Sequence, residues 1–154
     1  MDMPVFGFGT FNNFSNPNAV ETAVSQALQA GYRHIDCAEL YSNETEIGKA
    51  LTASAGAIDR KDLFLVSKVW NHHHDPDEVV RACKASIEAL QCEYLDCYLI
   101  HWPVAWRRDD GIMLKDDDTI AVGEPSDTTV ETTWRAMEGR QPLTLTRAVI
   151  TPQR

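Results

Sequence analysis

Four times along this chain a short apolar run is followed by a segment with helical periodicity. The strand ends recur near Thr10, Asp36, Lys68 and His101. That spacing, about 30 residues, is the length of a β-plus-α unit. Parallel strands need a crossover between them, usually a helix, so the alternation predicts an α/β fold: a parallel sheet with helices packed outside it. A doubly wound open sheet and a closed barrel of eight units both satisfy the pattern. A closed barrel usually takes about 250 residues, so a chain of 154 residues supplies about half of one.

The units read as follows. Residues 4 to 11 form a short strand ending in glycines. Asn16 caps the first helix, with Pro17 at its first position. Val20, Ala23, Val24, Ala27 and Leu28 make that helix's apolar face, and Gly31 stops it. Residues 32 to 36 are the second strand. Asn43 and Glu46 resemble a capping box opening a helix that buries Ile47, Ala50 and Leu51. Residues 63 to 69 are near-continuously apolar, as a parallel strand covered on both faces must be. Asp75-Pro76 opens a third helix carrying Val79, Val80, Cys83, Ile87 and Leu90, and residues 95 to 100 are the fourth strand. A long loop from Trp102 to about Asp127 leads to a fourth helix, opened by Thr128 and Glu131, with Val130, Trp134 and Met137 on one face.

Composition narrows the partners. A formal net charge of -9 and a pI near 4.9 argue against nucleic acid, whose phosphates need a basic surface. No apolar run has transmembrane length, and the first residues lack a basic start with a long apolar core. Cys37, Cys83, Cys92 and Cys97 have no disulfide-framework spacing, which favours reduced thiols and a cytoplasmic setting.

The chemistry gathers at the strand ends. Asp36 and Tyr41 follow the second, Lys68 lies in the third and His101 follows the fourth. In a parallel barrel these ends share one face. A phenol is a weak acid, an ammonium beside it favours the phenolate, and a carboxylate offsets the cost of burying the ammonium. An imidazole can hydrogen-bond and fix a carbonyl. Singly, each residue has an ordinary structural role; at equivalent ends of consecutive units, the four together favour a proton-transfer site. Gly7-Phe8-Gly9 lacks the rest of a dinucleotide fingerprint and reads as a turn. His72, His73 and His74 point apart as consecutive residues and read as a solvated loop, with no metal site. Asp116 to Asp118 lack calcium-loop spacing. The long loop leaves the sheet at the same end as the site, which suits a substrate lid.

Five segments make the resemblance specific: Gly7-Phe-Gly-Thr-Phe11, Gly31-Tyr-Arg-His-Ile-Asp-Cys-Ala-Glu-Leu-Tyr41, Glu46-Ile-Gly48, Leu63-Phe-Leu-Val-Ser-Lys-Val-Trp70 and Leu95-Asp-Cys-Tyr-Leu-Ile-His-Trp-Pro103. With them the chain, from about residue 5 to 139, resembles the N-terminal half of an aldo-keto reductase. The resemblance implies a (β/α)8 TIM barrel reduced here to about its first four units, and NADPH-dependent reduction of aldehydes or ketones to alcohols. By the same resemblance Tyr41 is the general acid, Lys68 the cation that assists it, Asp36 the partner of Lys68, and His101 the residue that orients the substrate. Gly9 and Thr10 lie near the nicotinamide, with Asp36 and Lys68 also on the cofactor side. Phe11, Trp70 and Trp102 wall the substrate pocket with His101; Phe11 stands where the family commonly has tryptophan.

Residues 1–139 are therefore read as the reductase half and 140–154 as a divergent tail, in which residues 143 to 150 have strand character. The family's further cofactor contacts come from later units: a Ser-Asn pair, a Gln and the basic residues that grip the adenosine phosphate. Without those units the first and fourth strands are expected to be open edges, prone to self-association. The alternative to an enzyme is an inactive half barrel, or a reductase-like binding module.

Overall fold

The computed structural model describes residues 2–12, 16–107, 123–139 and 149–150. Five parallel strands lie side by side in chain order: β1 (Phe8–Gly9), β2 (His34–Asp36), β3 (Phe64–Val69), β4 (Cys97–Ile100) and β5 (Val149–Ile150). Between the first four run α1 (Pro17–Gln29), α2 (Glu44–Ser54) and α3 (Pro76–Ala89); α4 (Val130–Glu138) follows β4. The strands are shorter than the sequence pattern suggests. The first shrinks from eight expected residues to two, so Val5 and Phe6 are highly exposed instead of paired.

Register places the chemistry. Gly9 pairs with Asp36, Asp36 with Val66, and Lys68 with Leu99. Side chains alternate along a strand, so each strand divides between two cores. Ile35, Leu65, Val69, Tyr98 and Ile100 point toward the helices and meet Val24, Ile47, Val79, Cys83 and Met137 in the main core. Phe64, Val66 and Cys97 form a smaller cluster on the opposite face, with Leu99 against it. Lys68 lies two residues beyond Val66 and so belongs to that inner face.

The helix starts fall at Asn16, Asn43 and Asp75 as the sequence indicates, yet none of these side chains makes a capping hydrogen bond. Asn43 has other work: buried, it donates from Nδ2 to the Thr10 carbonyl at 2.8 Å, tying the start of α2 to the end of β1. Asp75 accepts from the Thr128 hydroxyl. The fourth helix is capped by Thr129, one residue later than expected, whose side chain accepts from the Thr132 N–H at 3.2 Å. Gly31 ends α1 in the left-handed region at φ +98°, which a side chain resists.

Three further expectations are corrected. Gly7 and Gly9 are not turn glycines: neither has positive φ, and Gly9 is a strand residue. Gly7 is instead a close approach, since a Cβ there would stand 2.8 Å from the His34 ring. Two of the three histidines are not solvated: His72, within the 3-10 turn Asn71–His73, and His74, at its end, are buried, while His73 is partly exposed. The fourth strand is not an edge, because β5 pairs with it in parallel, Tyr98 opposite Val149 and Leu99 opposite Ile150. Asp116 to Asp118, and with them most of the expected lid, lie outside the described residues. Among the described residues no helix is long and apolar enough to cross a membrane.

Candidate functional site

Lys68 leaves the inner face near the C-terminal end of β3, between β2 and β4. It is buried, and an ammonium is tolerated there only if its donors are used. They are: Nζ donates to Asp36 Oδ2 at 2.9 Å, to the Cys37 carbonyl at 2.8 Å and to Tyr41 Oη at 3.4 Å. Two of the partners come from the end of β2. The third is carried by the 3-10 turn Glu39–Tyr41, which closes when the Tyr41 N–H reaches the Ala38 carbonyl at 3.0 Å and ends at Ser42, φ +50°. The same ammonium lies 5.1 Å from the centre of the Tyr41 ring.

His101 follows β4 and holds its ring 5.6 Å from that of Tyr41, edge to face. Burial first, and the Lys68 charge second, push its pKa down to about 4. The imidazole is therefore neutral near pH 7, with one N–H to donate and one lone pair to accept. The four residues singled out at the strand ends thus meet at one rim of the sheet.

The aromatic residues divide. Phe11 stands 5.2 Å from Tyr41, and it and Trp102 are substantially exposed, 50% and 39%. Trp70 is 0% exposed. It packs behind the rim, edge-on to His101 at 5.3 Å and to Trp102 at 4.9 Å. Trp106, which sequence reasoning passed over, completes the stack 5.3 Å from Trp70. Its backbone N–H donates to the Asn71 carbonyl at 2.8 Å, and an isolated antiparallel bridge joins it to Pro125.

The sequence profile of the Aldo/keto reductase family matches residues 5–142. This chain belongs to the aldo/keto reductase family. Aldo-keto reductase family 1 member A1 of Mus musculus is 46% identical over 140 residues, which cover 88% of this chain and 42% of the mouse protein. The Bos taurus counterpart is 44% identical over 151 residues, 96% of this chain and 45% of its own length. Among solved structures, the Bombyx mori aldo-keto reductase in complex with NADP superposes with a TM-score of 0.82 at 32% identity, covering 97% of this chain and 46% of that one. An aldose reductase from Giardia lamblia gives 0.84 at 37% identity, with 97% and 49% covered. The chain thus spans less than half the length of these relatives, and its sheet is the half barrel that the repeat spacing implies.

Within this aldo/keto reductase half barrel, the inner rim is open beside Gly9. Nothing lies within 4 Å of where a Cβ would stand on Gly9, although Gly9 pairs directly with Asp36. The Asp36 side chain is 36% exposed while that of Lys68 is 11%. The glycine and the carboxylate thus leave this part of the rim uncovered. Thr10 faces inward: its N–H and its hydroxyl both donate to the Asp36 carbonyl, at 3.1 and 2.9 Å. It holds the end of β1 against β2.

Glu39 was also missed. Its carboxylate accepts from the Trp70 N–H and contacts the His73 ring. No local pattern marks it, because both partners are more than 30 residues away in sequence.

Proposed function

We propose that the rim at Asp36, Tyr41, Lys68 and His101 serves NADPH-dependent reduction of small aldehydes or ketones to alcohols. The observation that carries this reading is one ammonium shared between Asp36 and the Tyr41 hydroxyl, with the neutral His101 ring against the same phenol. NADPH supplies the hydride when bound, and is itself oxidised to NADP. Gly9, Thr10, Asp36 and Lys68 would hold the nicotinamide end, with Thr10 tying the end of β1 to β2. His101 donates a hydrogen bond to the carbonyl oxygen and orients it toward Tyr41. As the carbonyl carbon gains the hydride, its oxygen takes the Tyr41 Oη proton. The resulting phenolate is stabilised by Lys68 until solvent returns a proton. Phe11 and Trp102 give the substrate apolar walls, and Trp70 backs them.

The second reading is an inactive half barrel or a reductase-like binding module. Titration of this chain with NADPH, followed by cofactor fluorescence and then by carbonyl-dependent NADPH oxidation, separates the two. Binding with oxidation supports the reductase; a folded sample that shows neither, or binds without oxidation, leaves the second reading. In a barrel carrying these residues with the remaining units, Tyr41→Phe should reduce turnover by about 10²-fold or more. Turnover near the original level would remove Tyr41 as proton donor.

A further inference from the structure

The two turns beside the rim share an apolar cluster of Leu40, Trp70 and Trp106, and one carboxylate adds polar contacts between them. Glu39 opens the turn whose last residue is Tyr41, and the Ser42 N–H donates back to the Glu39 carbonyl at 3.1 Å. Across the sheet end, Trp70 opens a second turn, closed when the His73 N–H donates to the Trp70 carbonyl at 3.0 Å. The Glu39 carboxylate reaches both ends of that second turn. Oε2 accepts from the Trp70 backbone N–H at 3.1 Å, and Oε1 lies 2.6 Å from His73 Nδ1. Both side chains are only partly exposed, 21% for Glu39 and 28% for His73, so solvent competes little for these contacts.

We infer that Glu39 is a positioning residue: its carboxylate clamps the Tyr41 turn to the Trp70–His73 turn and so sets the distance between the phenol and the aromatic wall. The inference rests on the reductase reading only for its consequence in turnover; the clamp stands on geometry alone. The mechanics follow from how little else is free to move. Tyr41 is held from below by Lys68, and Trp70 is wedged among His101, Trp102 and Trp106. What Glu39 adds is the lateral tie. Without it the Trp70 N–H loses its acceptor, and the Tyr41 turn is left with its Lys68 contact and the apolar cluster that Leu40 shares with Trp70 and Trp106. His73 adds a charge-assisted contact when its ring is protonated. Carboxylate and wall are thereby coupled, although Glu39 touches no reacting atom.

Two measurements on this chain test the clamp without any turnover. In the unmodified protein, a through-hydrogen-bond NMR coupling should connect the Trp70 amide nitrogen with the Glu39 carboxyl carbon; its absence would overturn the inference. In Glu39→Ala, the Trp70 amide should exchange with solvent at least about tenfold faster, and the circular-dichroism couplet of the stacked tryptophans should shrink. Glu39→Gln keeps an oxygen acceptor for the Trp70 N–H and should retain both signatures. Wild-type exchange and an undiminished couplet in Glu39→Ala would overturn the inference as well. Should Glu39→Ala fail to fold, the coupling in the unmodified chain still decides. Failure of NADPH binding leaves all these readouts untouched, so the clamp and the reductase reading stand or fall separately.

Discussion

Tyr41 and Lys68 meet because each lies at the C-terminal end of a parallel unit, and that much the sequence spacing reveals. Partners that belong to two loops at once are invisible to it. Asn43 reads as a cap and turns out to brace Thr10; Glu39, which no local pattern marks, turns out to hold Trp70. The histidines were misread for a related reason. Three polar residues before a proline-started helix look solvated, but tertiary packing buries His72 and His74. Burial pushes His74 and His101 each down to about 4. In the unfolded chain both take the ordinary value near 6.5. Between about pH 6.5 and 4 the unfolded state therefore binds protons that the folded state refuses, so the stability these two residues support is present above pH 6.5 and drains away as pH falls toward 4. Glu44 works in the opposite direction, since burial raises its carboxyl and stability falls as that group ionises. The expectation is accordingly residue-specific. NMR titration should give His74 and His101 midpoints near 4, and His74→Asn should lose less stability than the native chain over that interval. A His74 midpoint near 6.5 would refute the burial argument.

At the level of elements, periodicity located each α-helix among the described residues, whereas the strands came out short. Helical faces are set by side chains at three- and four-residue spacing, which the sequence carries directly. Strand length depends on which neighbours are available for pairing, and no single segment encodes its neighbours. Crossings between helices are equally non-local, yet one left a trace. Gly48 lies in the Glu46-Ile-Gly48 segment, where α2 passes the C-terminal end of α3. A Cβ on Gly48 would stand 2.3 Å from the Ala89 carbonyl oxygen and 2.9 Å from the Leu90 carbonyl carbon. Both are backbone atoms, so no rotamer change relieves the overlap; the helices must separate. Their parting would loosen Ile47, Val79 and Cys83, which share the main core. Gly48→Ala normally favours a helix by about 1 kcal/mol. Here the overpacking, about 1–3 kcal/mol or more, should win, and urea unfolding should show a net loss. A gain in stability would mean that α2 and α3 can slide apart cheaply.

The whole molecule poses a question of edges. β1 pairs on one side only, yet it is two residues long, and a short strand blunts an edge. A net charge of -9 also opposes the approach of a second copy. β4 is different: four residues, all buried or partly buried, with β5 on its outer side. The repeat pattern predicted a half barrel correctly but left the fourth strand bare, because nothing in the Val149-Ile150 dipeptide announces its pairing partner. If β5 covers β4 in solution, ending the chain at Gly139 should uncover a row of backbone donors and acceptors beside the apolar inner cluster of Phe64, Val66 and Cys97. Such an edge invites pairing with another chain. The shortened chain should then unfold at lower urea concentration and sediment as larger species than the 154-residue chain at equal concentration. Equal midpoints and equal sedimentation would mean that β5 contributes nothing, and that the association tendency of this half barrel is set at β1 alone.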